Sequence, residues 1–398
     1  MSELNKPLKT NENITQKGIN KMKFPIVFLT AVLCAAAPLA SSADIAWIIK
    51  PAASTSGRMQ LFMSRADKPQ PRTIAVDAPE SAKQFKSMRF GDAQKKFCFA
   101  GINSCGLAVA FTSAGPTPDT PNKPKKGEQL YTGSYAVDQI LRNCKTAKQA
   151  VDKMRGVASK GLISGGLIIL ITDPNQAFVF ECSPRHQANY MLGLNYAVYS
   201  NVWKLPGMED ASGRVPEKFS VYTQREWVAK TGINKARQND RKVSLAEAIA
   251  VSRLNVSDIK RQDVTSAPSL KNSIDAYIFD IDTKRPALLS CVYVAFGPQR
   301  HTVYLPVPLG AIDSLPPEVA GGEWAVIGDE LLQKASPATP VSDEIVEFER
   351  GLHQEFNDMR HKAAQLADKG KIDEAKTLLS ETLRRQTGEV MKFMQEHK

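Results

Sequence analysis

The chain has 398 residues, with 42% hydrophobic and 23% charged side chains, 24 Gly, 24 Pro and a formal net charge of +11. This mix suffices for one large domain or two smaller ones, and it excludes a disordered, collagen-like or disulfide-dense protein. The Lys and Arg residues are scattered, with pairs such as Lys95-Lys96 and Lys125-Lys126 but no basic stripe interleaved with aromatics. The charge therefore reads as solubility and attraction to anionic surfaces or substrates, and no nucleic-acid partner is expected.

Residues 1–21 are polar and lack apolar periodicity. Met22-Lys23 opens a short basic region, an apolar stretch runs from Phe24 to Leu33 and on through Ala35-Ala36-Ala37, and Pro38 breaks it. Small residues follow at Ser41-Ser42-Ala43, the pattern of a secretory signal peptide. Residues 1–43 are thus leader and signal peptide, with 22–43 the signal proper and Met22 the expected start. Cleavage after Ala43 leaves Asp44 first and implies export, to a periplasm or outside the cell. The apolar core is too short for a transmembrane helix, so no integral membrane segment is expected after processing. Leu33 before Cys34 is not the small residue that a lipoprotein signal wants. Cys98, Cys105, Cys144, Cys182 and Cys291 remain, an odd number without any C-x-x-C. A Cys98–Cys105 bridge is compatible with export, while the apolar neighbours favour buried free thiols.

Strand-like segments dominate residues 44–112. Residues 45–49 and 59–63 predict a β-hairpin, and residues 97–102 and 107–111 a second one around Asn103-Ser104-Cys105-Gly106. Residues 114–128, rich in Pro, Lys and Gly, read as a mobile loop. A helix is expected over 134–142, and another after Thr146 with Ala147, Ala150, Val151 and Met154 on one face. Strands follow at 166–172 and 177–182, joined by Asp173-Pro174-Asn175, and at 196–203. Residues 214–265 read as helical and polar, most amphipathic at 245–254, and strands return at 276–282, 287–295 and 302–306. Strands, then helices, then strands predict an α+β fold of two antiparallel sheets with helices outside. After Pro337 and Pro340 the character changes. Residues 342–365 and 372–397 read as two helices turning at Asp368-Lys369-Gly370-Lys371. The expected division is a body over 44–335 and a helical hairpin over 336–398, packed on the body or on a second copy as a homo-oligomer.

Several chemistries are excluded. Cys182-x-x-x-His186 is a lone pair where structural zinc needs about four ligands, so no metal is expected. There is no P-loop, no G-x-G-x-x-G after a strand, no H-E-x-x-H and no G-x-S-x-G, and no cofactor is expected. A Ser-His-Asp hydrolase could draw only on His186 or His301 from the body, and nothing local supports either.

The arrangement of the body resembles the N-terminal-nucleophile (Ntn) hydrolases, in the branch of choloylglycine hydrolases, acid-ceramidase-like amidases and isopenicillin-N acyltransferases. The resemblance spans most of residues 44–310. It is carried by Gly101-Ile102-Asn103-Ser104-Cys105-Gly106-Leu107-Ala108, by Leu141-Arg142-Asn143-Cys144-Lys145-Thr146, by the strand pair over 165–184, by Ser200-Asn201-Val202, and by Ala295-Phe296-Gly297-Pro298 with Val303-Tyr304-Leu305-Pro306. It implies a four-layer αββα sandwich and action on linear amide bonds of acyl amino acids, peptides or similar ligands, by hydrolysis or acyl transfer. In such enzymes a leading Cys, deprotonated by its own α-amine, attacks the amide, and an Asn side chain with a backbone N–H holds the oxyanion.

This sequence departs from the pattern at the nucleophile. Counting back from Gly57, the slot is filled by Asp44, and a carboxylate cannot replace a thiolate on an unactivated amide. The resemblance places Asp67 near the family's acidic residue and Arg65 near its basic one. It places Asn201 at the oxyanion Asn and Ser113 where some members carry a second polar oxyanion ligand. Other roles stand beside these: a buried strand Asn for Asn201, a turn residue for Asp67, and a surface or salt-bridge Arg for Arg65. Three outcomes stay open. The chain is a catalytically inactive ligand-binding homologue beginning at Asp44. Or processing exposes Ser41 or Ser42, although a two-residue overhang displaces the attacking atom by about 7 Å. Or the register differs and another group attacks.

Overall fold

The strand β1 (Ile45–Ile49) is apolar at all positions, and the fold explains why. In the computed structural model, Ala46 and Ile48 face a core between two sheets, while Ile45, Trp47 and Ile49 face a second core under helices. A strand covered on both sides has no polar face to declare. The structure describes residues 44–67, 71–92, 97–115, 117–193, 195–212, 220–334, 336 and 339–397. The expected leader and signal peptide, with Ser41 and Ser42, lie outside the described residues.

The strands that follow are β2 (Met59–Ala66), β3 (Thr73–Asp77), β4 (Ser87–Asp92), β5 (Phe97–Asn103) and β6 (Ala108–Ser113). Helices α1 (Gly133–Asn143) and α2 (Ala147–Ser159) come next, then β7 (Leu167–Thr172), β8 (Ala177–Cys182), β9 (Gln187–Met191) and β10 (Tyr196–Tyr199). Helices α3 (Val221–Ala236) and α4 (Leu245–Ser252) precede β11 (Ser273–Ile281), a single turn α5 (Pro286–Leu289), β12 (Cys291–Phe296) and β13 (Leu305–Pro308). The chain ends in α6 (Pro317–Ala320), α7 (Glu323–Lys334), α8 (Asp343–Asp368) and α9 (Ile372–Glu396).

Two antiparallel sheets result, ordered β10-β1-β2-β11-β12-β13 and β3-β4-β5-β6-β7-β8-β9. Their facing sides share a core that includes Met63, Phe90, Ile102, Ile168 and Phe279. Helices α1 and α2 cover the outer face of the seven-stranded sheet through Ile140, Leu141, Val151 and Met154. Helices α3, α4, α8 and α9 cover the six-stranded sheet through Ala229, Ile249, Phe356 and Leu379. This is the expected α+β, four-layer αββα sandwich. Polar side chains start the covering helices: Thr132, Thr146 and Ser220 each accept the backbone N–H three residues on, and Ser244 with Glu247 forms a full capping box. The C-terminal hairpin packs on the body, with Leu352, Leu383, Val390 and Met394 joining the core between the sheets. Among the described residues no helix is long and apolar enough to cross a membrane.

Several elements differ from the sequence reading. The strand expected over 196–203 stops at Tyr199, because the N–H of Ser200 leaves the ladder and donates to Glu226 Oε1 at 2.8 Å. The strand expected over 287–295 is split: Pro286 opens the single turn α5, and Asp282 Oδ1 accepts the N–H groups of Lys284 and Arg285 ahead of it. The last strand lies at Leu305–Pro308 instead of 302–306, at the sheet edge where its two prolines leave no central ladder bond unmade. The helical stretch of 214–265 is confined, in its described part, to α3, α4 and short 3-10 turns. Strands β3, β4 and β9 and helices α6 and α7 were not expected.

Candidate functional site

Asp44 stands one residue before β1. The antiparallel register sets Ile45 opposite Ser64, which brings Asp44 level with Arg65 on β2. Arg65 pairs across to Asp275 on β11, where its Nε donates to Asp275 Oδ1 at 2.9 Å and its Nη2 to Asp275 Oδ2. Its guanidinium also lies 3.2 Å over the centre of the Phe99 ring. Burial works against this charge, but the Asp275 carboxylate more than offsets it and keeps the Arg65 pKa above its ordinary value. Arg65 is therefore a buried salt-bridge residue and not a surface one; its Nη1 makes no hydrogen bond.

Asn201 comes to the same place from the end of β10. Ser200 Oγ donates to the Asp44 carbonyl at 2.9 Å. Asn201 Nδ2 donates to the Ser113 carbonyl at 2.7 Å, and Thr112 Oγ1 donates to the Ser200 carbonyl at 3.1 Å. These bonds tie the end of β6 in one sheet to the end of β10 in the other. Asn201 Oδ1 accepts from Arg225 Nη2 at 3.1 Å. The structure thus brings Asp44, Arg65, Ser113 and Asn201 together. Ser113 takes part through its carbonyl, an acceptor, which cannot serve as an oxyanion donor. Asp67 sits just beyond β2, half-buried, with its N–H on the Asn272 carbonyl at 3.0 Å.

Arg225 is the member that sequence reasoning missed. It lies on α3 and is buried, and its Nε and Nη1 have no hydrogen-bond partner. Burial pulls its guanidinium down to about 10, opposed first by the charge of Asp44. The Asp44 carboxylate therefore lies in the field of two buried arginines, Arg65 and Arg225. The signal was present in the spacing: Arg225, Ala229 and Ile233 fall at i, i+4 and i+8, so the arginine occupies the apolar stripe of α3.

A second layer fixes the turn that carries Asn201. Glu226 accepts the Ser200 N–H and pairs with Lys204 Nζ at 2.5 Å. Lys204 Nζ also donates to the Val198 carbonyl at 2.7 Å and lies 4.1 Å over the Tyr199 ring. Glu181 on β8 accepts the N–H groups of Lys204 and Leu205 at 2.9 Å. Burial pushes the Glu181 carboxyl up to about 7, against the pull of those two N–H groups.

The site is closed. Asp44, Arg65, Asn201 and Arg225 are between 1% and 6% exposed. Two cavities lie elsewhere, one of about 970 Å³ between α4 and α8 and one of about 340 Å³ near Arg58 and Asp368. The loop over 114–128 does not line either cavity, whereas α4 lines the larger one. Asp119 instead binds His186 Nδ1 at 2.9 Å and the Ser183 hydroxyl, fastening this loop to the β8–β9 turn. His186 is thereby engaged away from Cys182, and no group of three or more metal-capable side chains occurs among the described residues. All five described cysteines are thiols, and only Cys105 is not buried.

No protein-family model matches the chain, and no curated protein matches it. Solved structures similar to it include a Caenorhabditis elegans ortholog of N-acylethanolamine-hydrolyzing acid amidase, at 9% identity and a TM-score of 0.38, over 59% of this chain and 92% of that one. Penicillin V acylase from Agrobacterium tumefaciens overlaps at 13% identity and a TM-score of 0.37, over 64% and 84%. A variant of conjugated bile acid hydrolase from Clostridium perfringens overlaps at 9% identity and a TM-score of 0.42, over 67% and 92%.

Proposed function

We propose that this chain is an exported protein built on the frame of the linear-amide hydrolases and acyltransferases, in which the nucleophile has been replaced by Asp44, leaving a non-hydrolytic binder of small-molecule or peptide amides. One observation carries the reading: the buried Asp44 carboxylate, one residue before β1, lies in the field of Arg65 and Arg225. A carboxylate stabilised by two guanidinium groups is a poor nucleophile toward an unactivated amide. The donors beside it are suited to an acceptor group such as an amide carbonyl. Arg65 Nη1, Arg225 Nε and Arg225 Nη1 have no partner, and Asn201 Nδ2 spends one of its two N–H groups on Ser113. Export rests on the segment 22–43 and belongs to the same proposal.

The test is to purify the secreted chain, determine its N-terminal residue, and incubate it with N-acyl amino acids of graded chain length. The expected result is an Asp44 terminus, no release of free amine above the protein-free control, and saturable binding weakened by Arg225→Met. Release of amine by a chain that begins at Ser41 or Ser42 would instead establish a working hydrolase.

A further inference from the structure

The outer face of the six-stranded sheet carries a second polar feature, at the end of the β1–β2 hairpin opposite to Asp44. Gln60 pairs with Ile49 across the hairpin and with Asp280 on β11. The five residue steps from Asp44 to Ile49 span roughly 17 Å of strand. Period-two alternation puts the Gln60 side chain on the face of Phe62, which stacks on Trp47 in the core beneath the helices. Helices α4 and α8 cross this face without closing on it. The cavity of about 970 Å³ lies between them, with Gln60, Asp280 and Tyr293 among its lining residues. Its volume is at the upper end of small-molecule sites.

Most of the lining charges are paired, while Arg350, bound to Glu347, and Asp358, which accepts from Gln354, lie exposed. Arg253 makes two bonds to Glu349, at 2.9 and 2.6 Å, and Arg300 pairs with Asp258 at 2.5 Å. Asp280 lies between Arg360 at 2.6 Å and Arg58 at 3.5 Å. A charged ligand would have to break one of these pairs, at the cost of stranding its partner in a partly desolvated place. The wall on the α4 side is apolar, formed by Leu245, Ile249 and Leu254, and Val341 and Val346 continue it.

Two buried lining side chains offer a hydrogen-bond acceptor. Gln60 is buried and its Oε1 has no partner, a state that costs about 1–3 kcal/mol when nothing fills it. His353 Nε2 lies 2.6 Å from the Tyr304 carbonyl. A carbonyl only accepts, so the imidazole proton sits on Nε2 and Nδ1 is left as an acceptor. Both residues line the cavity.

We propose that this cavity binds an uncharged amphipathic small molecule, whose hydroxyl or amide N–H groups donate to Gln60 Oε1 and His353 Nδ1 and whose apolar part lies against α4. The site is separate from the Asp44 cluster, and it stands whether or not that cluster is silent.

Octyl β-D-glucoside, an uncharged amphiphile rich in O–H donors, is the probe, titrated into the full chain below its micelle threshold and followed by calorimetry. One saturable site is expected. Ala246 and Ala250 are exposed, one turn apart on α4, and line the cavity. Ala250→Trp should fill it and abolish binding, and Ala246→Trp serves the same purpose if the first variant loses its native circular dichroism. Gln60→Leu should weaken binding at least tenfold, and octanoate, an anion of equal chain length, should bind at least tenfold more weakly than the glucoside. Absence of saturable binding, or equal binding by a folded Trp variant, would overturn the proposal.

Discussion

The guanidinium of Arg225 donates to the side-chain carbonyl of Asn201 at 3.1 Å, and this bond joins a helix of the outer layer to the turn that ends β10. The amide of Asn201 is then oriented with its N–H on the Ser113 carbonyl, so that helix, turn and the opposite sheet meet beside Asp44. Arg225, Asn201, Ser200 and Asp44 are buried, and the cluster acts as a polar pin through the end of the sandwich.

Arg65 and Asp275 form the most enclosed ion pair near the pin, at 1% and 0% exposure. Removing one partner leaves the other charge stranded, so Asp275→Leu should lower the unfolding free energy by about 3–5 kcal/mol. The double variant Arg65→Met with Asp275→Leu should recover at least half of that loss. Urea denaturation of the two single variants and the double variant measures the coupling. A double variant no more stable than Asp275→Leu would show that the pair is not a unit.

Asn103 illustrates a residue whose place in a sequence motif has a structural cause. Its Nδ2 donates to the carbonyls of Leu141 and Cys144 at 2.9 and 2.8 Å, and its Oδ1 accepts the N–H groups of Cys105 and Leu107. The side chain thus locks the β5–β6 turn to the end of α1. Gly106 closes that turn at φ +78, with an added Cβ meeting Pro286 at 2.6 Å. Asn103→Ala strands two buried carbonyls and should cost about 2–4 kcal/mol. Thermal unfolding of this variant, with no change in midpoint, would refute the assignment.

Glu181 makes stability depend on pH in a defined direction. Burial raises its carboxyl to about 7 from an ordinary value of 4.5. Between those values the folded chain holds a proton that the unfolded chain has released, so the unfolded state binds fewer protons and stability falls as pH rises. The contribution is whole below about pH 4.5 and is lost as pH rises through about 7, a change on the order of 3 kcal/mol. Urea midpoints at pH 5 and pH 8 should therefore differ more in the parent chain than in Glu181→Gln. Equal differences in the two chains would remove Glu181 as the cause.

Much of this architecture was legible in the sequence, for reasons that can be located. The β1–β2 and β5–β6 hairpins show as apolar runs around small-residue turns, and α2 shows through Thr146 and its buried stripe. Strand β3 was not legible, because of Thr73–Asp77 only Ile74 is buried and no alternation appears. Strand β9 lies at a sheet edge and is largely exposed, so its composition carries no core signal. The convergence of Asp44 with Asn201 followed from the resemblance, but Arg225 and Glu226 did not. Charged residues in a polar helix read as solvent-facing unless the spacing of Arg225 to Ala229 and Ile233 is weighed, and the contact of α3 with the Ser200-Asn201 turn buries them. Ser113 shows a further limit, since its contribution comes from the main chain, which any residue type would supply.

On the proposed function, Asp44 does not attack amides. Intact-mass analysis of the processed chain, quenched after mixing with N-octanoyl-p-nitroanilide, tests it most directly. An unmodified mass and no burst of p-nitroaniline are expected. An octanoyl adduct on the N-terminal residue, with one equivalent of p-nitroaniline released per chain, would contradict it.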